Sequence, residues 1–201
     1  MRSFITLTAC LLITNYLAAQ STINYGSLAT FSENGNLQIV VEIPAGTNKK
    51  LEYNYATNTF PVDIKDGKER IINFLPYPGN YGFIPSTMMD RVRGGDGDAL
   101  DVLVLSQHSA TQTILEVIPI ALLNLIDNGE IDSKIIAVPI NPDHRVISAD
   151  SYSQLHSEYP NVQRLIELWF TSYKGSGIVE FNGWGNELSA KAEIEKWLVP
   201  N

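Results

Sequence analysis

Three segments of this chain are apolar almost without a break: Asp101-Val102-Leu103-Val104-Leu105, Ile114 to Leu123, and Lys134 to Ile140. They are rich in β-branched residues, and their unbroken apolar character suits strands buried on both faces, as in a closed sheet. Turn residues punctuate them, most clearly Gly79, Gly94-Gly95, Gly97 and Asn128-Gly129. Upstream, Leu37 to Ile43 reads as a strand stopped by Pro44, Leu51 to Tyr55 alternates, and Arg70 to Phe74 reads as another short strand. The C-terminal quarter changes period. Val162, Leu165, Ile166, Trp169 and Tyr173 fall on one helical stripe, with Asn161 placed to cap it and Gly175 to end it. A short strand from Ile178 to Phe181 and a helix from about Leu188 to Trp197 finish the chain. These features predict a mainly β molecule of the α+β class, a small barrel with helices packed outside it. A Ser-, Thr-, Asn- and Gly-rich stretch, residues 20–36, precedes it and reads as a linker or loose arm.

The first residues follow a different logic. Arg2 is followed by an apolar run from Phe4 to Leu17, then by Ala18-Ala19. That is the layout of a secretory signal over residues 1–19, cleaved near Ala19, and it implies export to the periplasm or beyond. The alternative is a plain N-terminal extension. The run is too short and polar for a membrane anchor. Cys10, the only cysteine of the 201 residues, falls inside it, so disulfides hold nothing together after cleavage.

Charge excludes one class of partner. Against 14 basic residues stand 22 acidic ones, a net charge of -8, which speaks against nucleic acid. The acids cluster. Between Asp96 and Asp132 there is no Lys or Arg, and such a stretch either faces water or holds cations. Asp96-Gly97-Asp98-Ala99-Leu100-Asp101 places three carboxylates within six residues. They can converge on one hard cation, or they form an acidic turn before a strand. An EF-hand is excluded, because Leu100, Asp101 and Gln107 stand at its fifth, sixth and twelfth positions. The second acidic turn, Asp127 to Asp132, contains Asn-Gly and reads by itself as a hairpin. Lys134 follows Asp132 by two, so on a strand both project to one face. Lys50, Arg70, Lys134 and Lys174, near Tyr53, Tyr55, Tyr77, Tyr81 and Tyr173, could hold phosphate beside such acids. Each one alone also suits a surface charge or a core-edge aromatic.

Further strings fall in order along the chain: Glu42-Ile43-Pro44, Lys50-Leu51-Glu52, Arg70 and Tyr77-Pro78-Gly79-Asn80-Tyr81-Gly82. They continue through Asp96 to Asp101, then Asp127, Asp132 and Lys134, and end at Tyr173-Lys174. Taken in this order, they resemble the soluble inorganic pyrophosphatases of the aspartate-rich, magnesium-dependent family, from about Leu37 to the C-terminus. The resemblance implies one pyrophosphatase domain, residues 37–201, built as a compact five-stranded barrel of oligonucleotide-binding type with two main helices. It implies several Mg2+ ions per site, with Mn2+ as a substitute, and assembly as a homo-oligomer. Asp96, Asp101, Asp127 and Asp132 match metal ligands, and Asp98 matches the acid that takes a proton from the attacking water. Lys50, Arg70, Tyr81, Tyr173 and Lys174 match the residues that hold pyrophosphate, supported by Lys134. Glu42, Glu52 and Tyr77 match positions one shell out. Asn128 departs from the pattern, since Glu commonly follows the position of Asp127. Two rival readings carry other functions: a secreted, catalytically silent divalent-cation-binding module, and a hydrolase of other phosphoanhydrides such as short polyphosphate.

Overall fold

The computed structural model of the chain describes residues 23–199; the expected signal segment lies outside them. Strand β1 (Leu37–Ile43) is followed by a hairpin of two-residue strands, β2 (Ile64–Lys65) and β3 (Lys68–Glu69). Then come β4 (Asn80–Phe83), β5 (Asp101–Val104), β6 (Ile114–Asp127), β7 (Glu130–Ile131) and β8 (Lys134–Pro139). Helices α1 (Tyr152–Glu158) and α2 (Pro160–Ser172), strand β9 (Val179–Gly185) and helix α3 (Glu187–Trp197) complete the chain.

Five strands form a closed ring in the order β1, β4, β5, β8, β6 and back to β1. Only the β5–β8 pair is parallel. Fourteen residues let β6 pair β1 with its first part, β8 with its middle, and β9 and β7 with its end. Its register against β8 shifts between Pro119 and Ala121, because a proline has no N–H for the ladder and sits best at a bulge. Gly82 allows the close approach of β4 to β1. A Cβ there would stand 1.9 Å from the Val40 carbonyl oxygen.

The unbroken apolar runs have a physical cause. Val102 and Val104 of β5, with Ile135 and Ala137 of β8, pack in one core with Ala190, Ile194 and Trp197 of α3. The alternate residues Leu103, Ile136 and Val138 pack in another core with Leu155 of α1 and Ile166, Trp169 and Phe170 of α2. Both faces of these strands are therefore dry, and truncating one of the buried Leu or Ile residues to Ala costs about 2–5 kcal/mol.

Three expectations are corrected. Leu51 to Tyr55 and Arg70 to Phe74 are not strands but make single bridges, Lys49–Ile71, Leu51–Val62 and Asn54–Thr59. The Asn54 side chain accepts from the Ala56 and Thr57 amides, and Asn58 sits at φ 54, so local turns take the backbone groups that a ladder would need. Tyr159, not Asn161, is the N-cap of α2, with Pro160 at its first position. Residues 23–36 are packed, not loose: Tyr25 meets the edge of Phe60 at 5.2 Å, and the Thr30 hydroxyl donates to the Pro85 carbonyl at 2.8 Å.

Candidate active site

The first acidic turn is fixed by backbone bonds. Met89 N–H donates to the Asp98 carbonyl at 2.7 Å, Gly97 N–H donates to the Met89 carbonyl at 2.8 Å, and the Asp96 carboxylate accepts from Asp98 N–H at 3.0 Å. Asp101 then opens β5, directly opposite Lys134 in the parallel register with β8. The second acidic turn is the β6–β7 hairpin. Asn128 and Gly129 both have positive φ, 50° and 86°, as a two-residue Asn-Gly turn requires. Ile131 N–H donates to the Gly94 carbonyl at 2.8 Å, and this bond draws the two turns together.

They meet over one cleft of about 400 Å³. Asp96, Asp98, Asp101, Asp127, Asp132 and Glu52 line it together with Lys50, Arg70, Tyr81, Lys134, Tyr173 and Lys174. Two expected residues stand back from it. Glu42 is buried in an adjoining smaller cavity beside Lys50, Asp98 and Asp101, its carboxylate accepting from Tyr53 N–H at 2.7 Å. Tyr77 is buried behind the cleft, its ring 5.2 Å from Tyr81 and 4.5 Å from Trp169.

Inside the cleft the charges pair off incompletely. The buried Lys134 ammonium donates to both Asp101 and Asp132, and Lys174 donates to Asp127. Tyr81 O–H donates to Asp101 at 2.5 Å. Burial alone would lower the Lys134 pKa, but Asp101 and Asp132 outweigh it and hold that ammonium well above its usual value. Burial, then Asp101 nearby, pushes the Glu42 carboxyl up to about 8. Burial is also the main reason that Asp96 rises to about 6 and that Asp98 is raised. Among the described residues neither Asp96 nor Asp98 has an ion-pair partner.

Three lining residues escaped the sequence reading as site residues: Asp63, Arg91 and Glu130. Asp63 accepts from Arg70 at 3.1 Å, and Arg91 donates to Glu130 at 2.6 Å. Asp63 lies in a turn-rich stretch whose spacing marks nothing, and Arg91 belongs to a three-residue 3-10 helix with no pattern of its own. Glu130 alone had left a signal, as part of the acidic run.

Eight acids and five cations line the cleft, which leaves three negative charges unbalanced. Among the described residues no three acids already converge to hold an ion, because lysines stand between them. The donor set nevertheless fits a divalent cation: hard carboxylate oxygens, in excess over their cationic partners. Carboxylates facing lysine, arginine and tyrosine hydroxyls across one open cleft are the equipment of a metal-dependent hydrolase of phosphoanhydrides.

The family model for inorganic pyrophosphatase matches residues 39–199, and the chain belongs to that family, whose members depend on divalent metal. It is 32% identical over 173 residues to the inorganic pyrophosphatase of Neisseria meningitidis serogroup B, covering 82% of this chain and 90% of that protein. It is 34% identical over 167 residues to that of Saccharolobus solfataricus, covering 80% and 88%. The crystal structure of the inorganic pyrophosphatase from Thermus thermophilus superposes with a TM-score of 0.73 at 28% identity, covering 88% of this chain and 97% of that one.

Proposed function

We propose that this chain hydrolyses inorganic pyrophosphate to two orthophosphates, with Mg2+ as its divalent ion and Asp98 as the general base. The carrying observation is the cleft itself, where unpaired acids and phosphate-holding cations share about 400 Å³. Asp96, Asp101, Asp127 and Asp132 hold the ions. When bound, Mg2+ supplies charge neutralisation and acidifies the water that attacks. Asp98 is exposed to the cleft, free of any ion pair among the described residues, and raised by burial, which suits an acceptor of the proton from that water. Arg70 offers a planar fork to phosphate oxygens, Lys50, Lys134 and Lys174 offer point charges, and the Tyr81 and Tyr173 hydroxyls offer neutral donors. Both phosphates carry more charge on oxygen as the bridge breaks, so these groups act by electrostatic stabilisation, and no covalent nucleophile is needed. Glu42, Glu52 and Tyr77 support the set from its edges.

A silent cation-binding module would need neither an unpaired Asp98 nor the cationic wall, so their presence favours the enzyme. The reading also includes export on the residue 1–19 signal and assembly of a homo-oligomer. A phosphate-release assay on purified protein lacking residues 1–19, with and without Mg2+, tests the activity. Phosphate release that requires Mg2+ is expected; none at saturating Mg2+ sinks the proposal.

A further inference from the structure

The segment that brings Lys50 and Glu52 to the cleft has little of its own to hold it there. It belongs to no strand, and single bonds fix its backbone. Lys50 N–H donates to the Arg70 carbonyl at 3.0 Å, and Glu52 N–H donates to the Pro61 carbonyl at 3.1 Å. A stretch with so few ladder bonds opens easily unless something is packed on it. Lys50 nevertheless has to present its charge at one place, since a holding group displaced by about 1 Å loses much of its effect.

Tyr53 supplies the missing hold. Its ring is buried and stacks on Phe83 of β4, the centroids 5.2 Å apart. Its N–H donates to the Glu42 carboxylate of β1 at 2.7 Å. Its hydroxyl donates to Asn58 Oδ1 at 2.9 Å and accepts from Gly26 N–H at 3.1 Å. One residue thus ties the segment both to the ring of strands and to residues 23–27, which lie ahead of the family-matched region. Gly26 lets the arm come this close without displacing a ring: a Cβ there would stand 2.7 Å from the ring of Tyr55 and 3.1 Å from that of Tyr53. Asn58 closes the contact from the other side. Its amide donates to the Ile23 carbonyl at 2.8 Å, and its oxygen also accepts from Tyr25 N–H at 3.3 Å.

We infer that residues 23–27 form a clasp on the segment from Lys50 to Glu52, and that Tyr53 is a positioning residue for pyrophosphate binding, acting through Lys50. The inference rests on the reading of the cleft as a pyrophosphate site. Tyr53 lines the small cavity beside Lys50 and Asp98 but not the cleft itself, so it acts by placing Lys50 and not by touching substrate. A loosened Lys50 holds the anion less well before and during the reaction alike, which raises KM and spares kcat.

Two variants release the clasp. Tyr53→Phe keeps the ring and the bond to Glu42 and removes only the hydroxyl. Asn58→Gly removes the amide and accepts the left-handed backbone, φ 54, without strain, so it carries the test should Tyr53→Phe fail to fold. Hydrogen exchange at the Lys50 and Glu52 amides is expected to quicken several-fold in both. At saturating Mg2+ the KM for pyrophosphate is expected to rise several-fold, with kcat held within about twofold. In a Lys50→Ala background neither change should raise KM further, because the group that the clasp places is gone. A lower melting temperature with KM unmoved makes Tyr53 a packing residue only and overturns the inference. A KM effect that persists undiminished without Lys50 overturns it too, as does unaltered exchange. If the parent releases no phosphate, the pyrophosphatase reading falls by itself, and exchange still decides the clasp: quickened exchange keeps it, and unmoved exchange removes it.

Discussion

Asp98 and Asp101 sit three residues apart and have different surroundings, so their loss should have different consequences. Asp98 is exposed and unpaired, whereas Asp101 accepts from both Lys134 and Tyr81 at the mouth of β5. Asp98→Asn keeps the backbone bonds of the turn and removes only the proton acceptor. Turnover should fall roughly a hundredfold or more, with the Mg2+ requirement little changed. Near-normal phosphate release by this variant would assign the base elsewhere. Asp101→Ala should instead raise the Mg2+ concentration for half-activation as well as lower turnover, since a carboxylate proposed to hold ions is gone. Glu42 adds a pH dependence. Its carboxyl is pushed up to about 8 by burial, with Asp101 and Glu52 adding repulsion and Lys50 opposing it. A carboxyl whose folded pKa is raised weakens the fold as pH climbs from its unfolded value toward its folded one, by about 1.4 kcal/mol for each tenfold fall in proton concentration. In metal-free protein, Glu42→Gln keeps the bond from Tyr53 N–H and cannot ionise. Its melting temperature should therefore gain on the parent between about pH 4.5 and about pH 8 and hold the lead above that range. Parallel melting curves for the two proteins across this range would remove Glu42 as a source of strain.

At the scale of elements, the β6–β7 hairpin is where local turn chemistry and the site coincide. Asn128 occupies a left-handed position at φ 50, and its amide donates to the Asp127 carboxylate at 3.1 Å. Glu in its place loses the tolerance of Asn for that backbone and should cost about 1 kcal/mol of stability. It also brings a charge beside Asp127, worth about 1 kcal/mol at partly screened range, so the weakest activating Mg2+ should bind several-fold more tightly. Thermal melts and Mg2+ activation curves read the two effects separately; a lower melting point with an unmoved activation curve would mean that no ion sits beside the turn. The same hairpin shows what a sequence discloses. Asn128-Gly129 was readable because turn type is a local property, β5 and β8 because burial on both faces leaves an unbroken apolar run, and α2 because burial on one face imposes a helical period. Residues 44–76 were not, because Asx turns and single bridges settle their backbone groups one at a time. Asp96, Asp98 and Asp101 announce themselves by contiguity. The Arg91–Glu130 pair spans 39 residues and is created only when the Ile131–Gly94 bond joins the two loops.

At the scale of the whole molecule, the ring and its helices are balanced by apolar burial, and the cleft is the place where the chain's acidic excess becomes an energetic burden. The proposed export belongs to this scale too: mass spectrometry of protein from its native host should find the N-terminus at Gln20, and an intact Met1 on recovered protein would end that proposal. The more general consequence concerns the metal. Three unbalanced negative charges face one another across the cleft, and burial, with Asp101 adding repulsion, raises Asp96 in it and Glu42 beside it. A divalent ion that binds the folded cleft and not the unfolded chain stabilises the fold by mass action, by about 2.7 kcal/mol at a hundred times its Kd. For a chain of this size each kcal/mol raises the melting temperature by about 2–4 °C. Chelating the metal should therefore lower the melting temperature by roughly 5–10 °C, and Mg2+ should restore it where Na+ at equal ionic strength does not. Asp101→Ala should keep only part of the Mg2+ gain. If Mg2+ and Na+ stabilise the parent equally, the acids act only as a diffuse field that salt screens, and the assignment of Asp96, Asp101, Asp127 and Asp132 to ions is wrong.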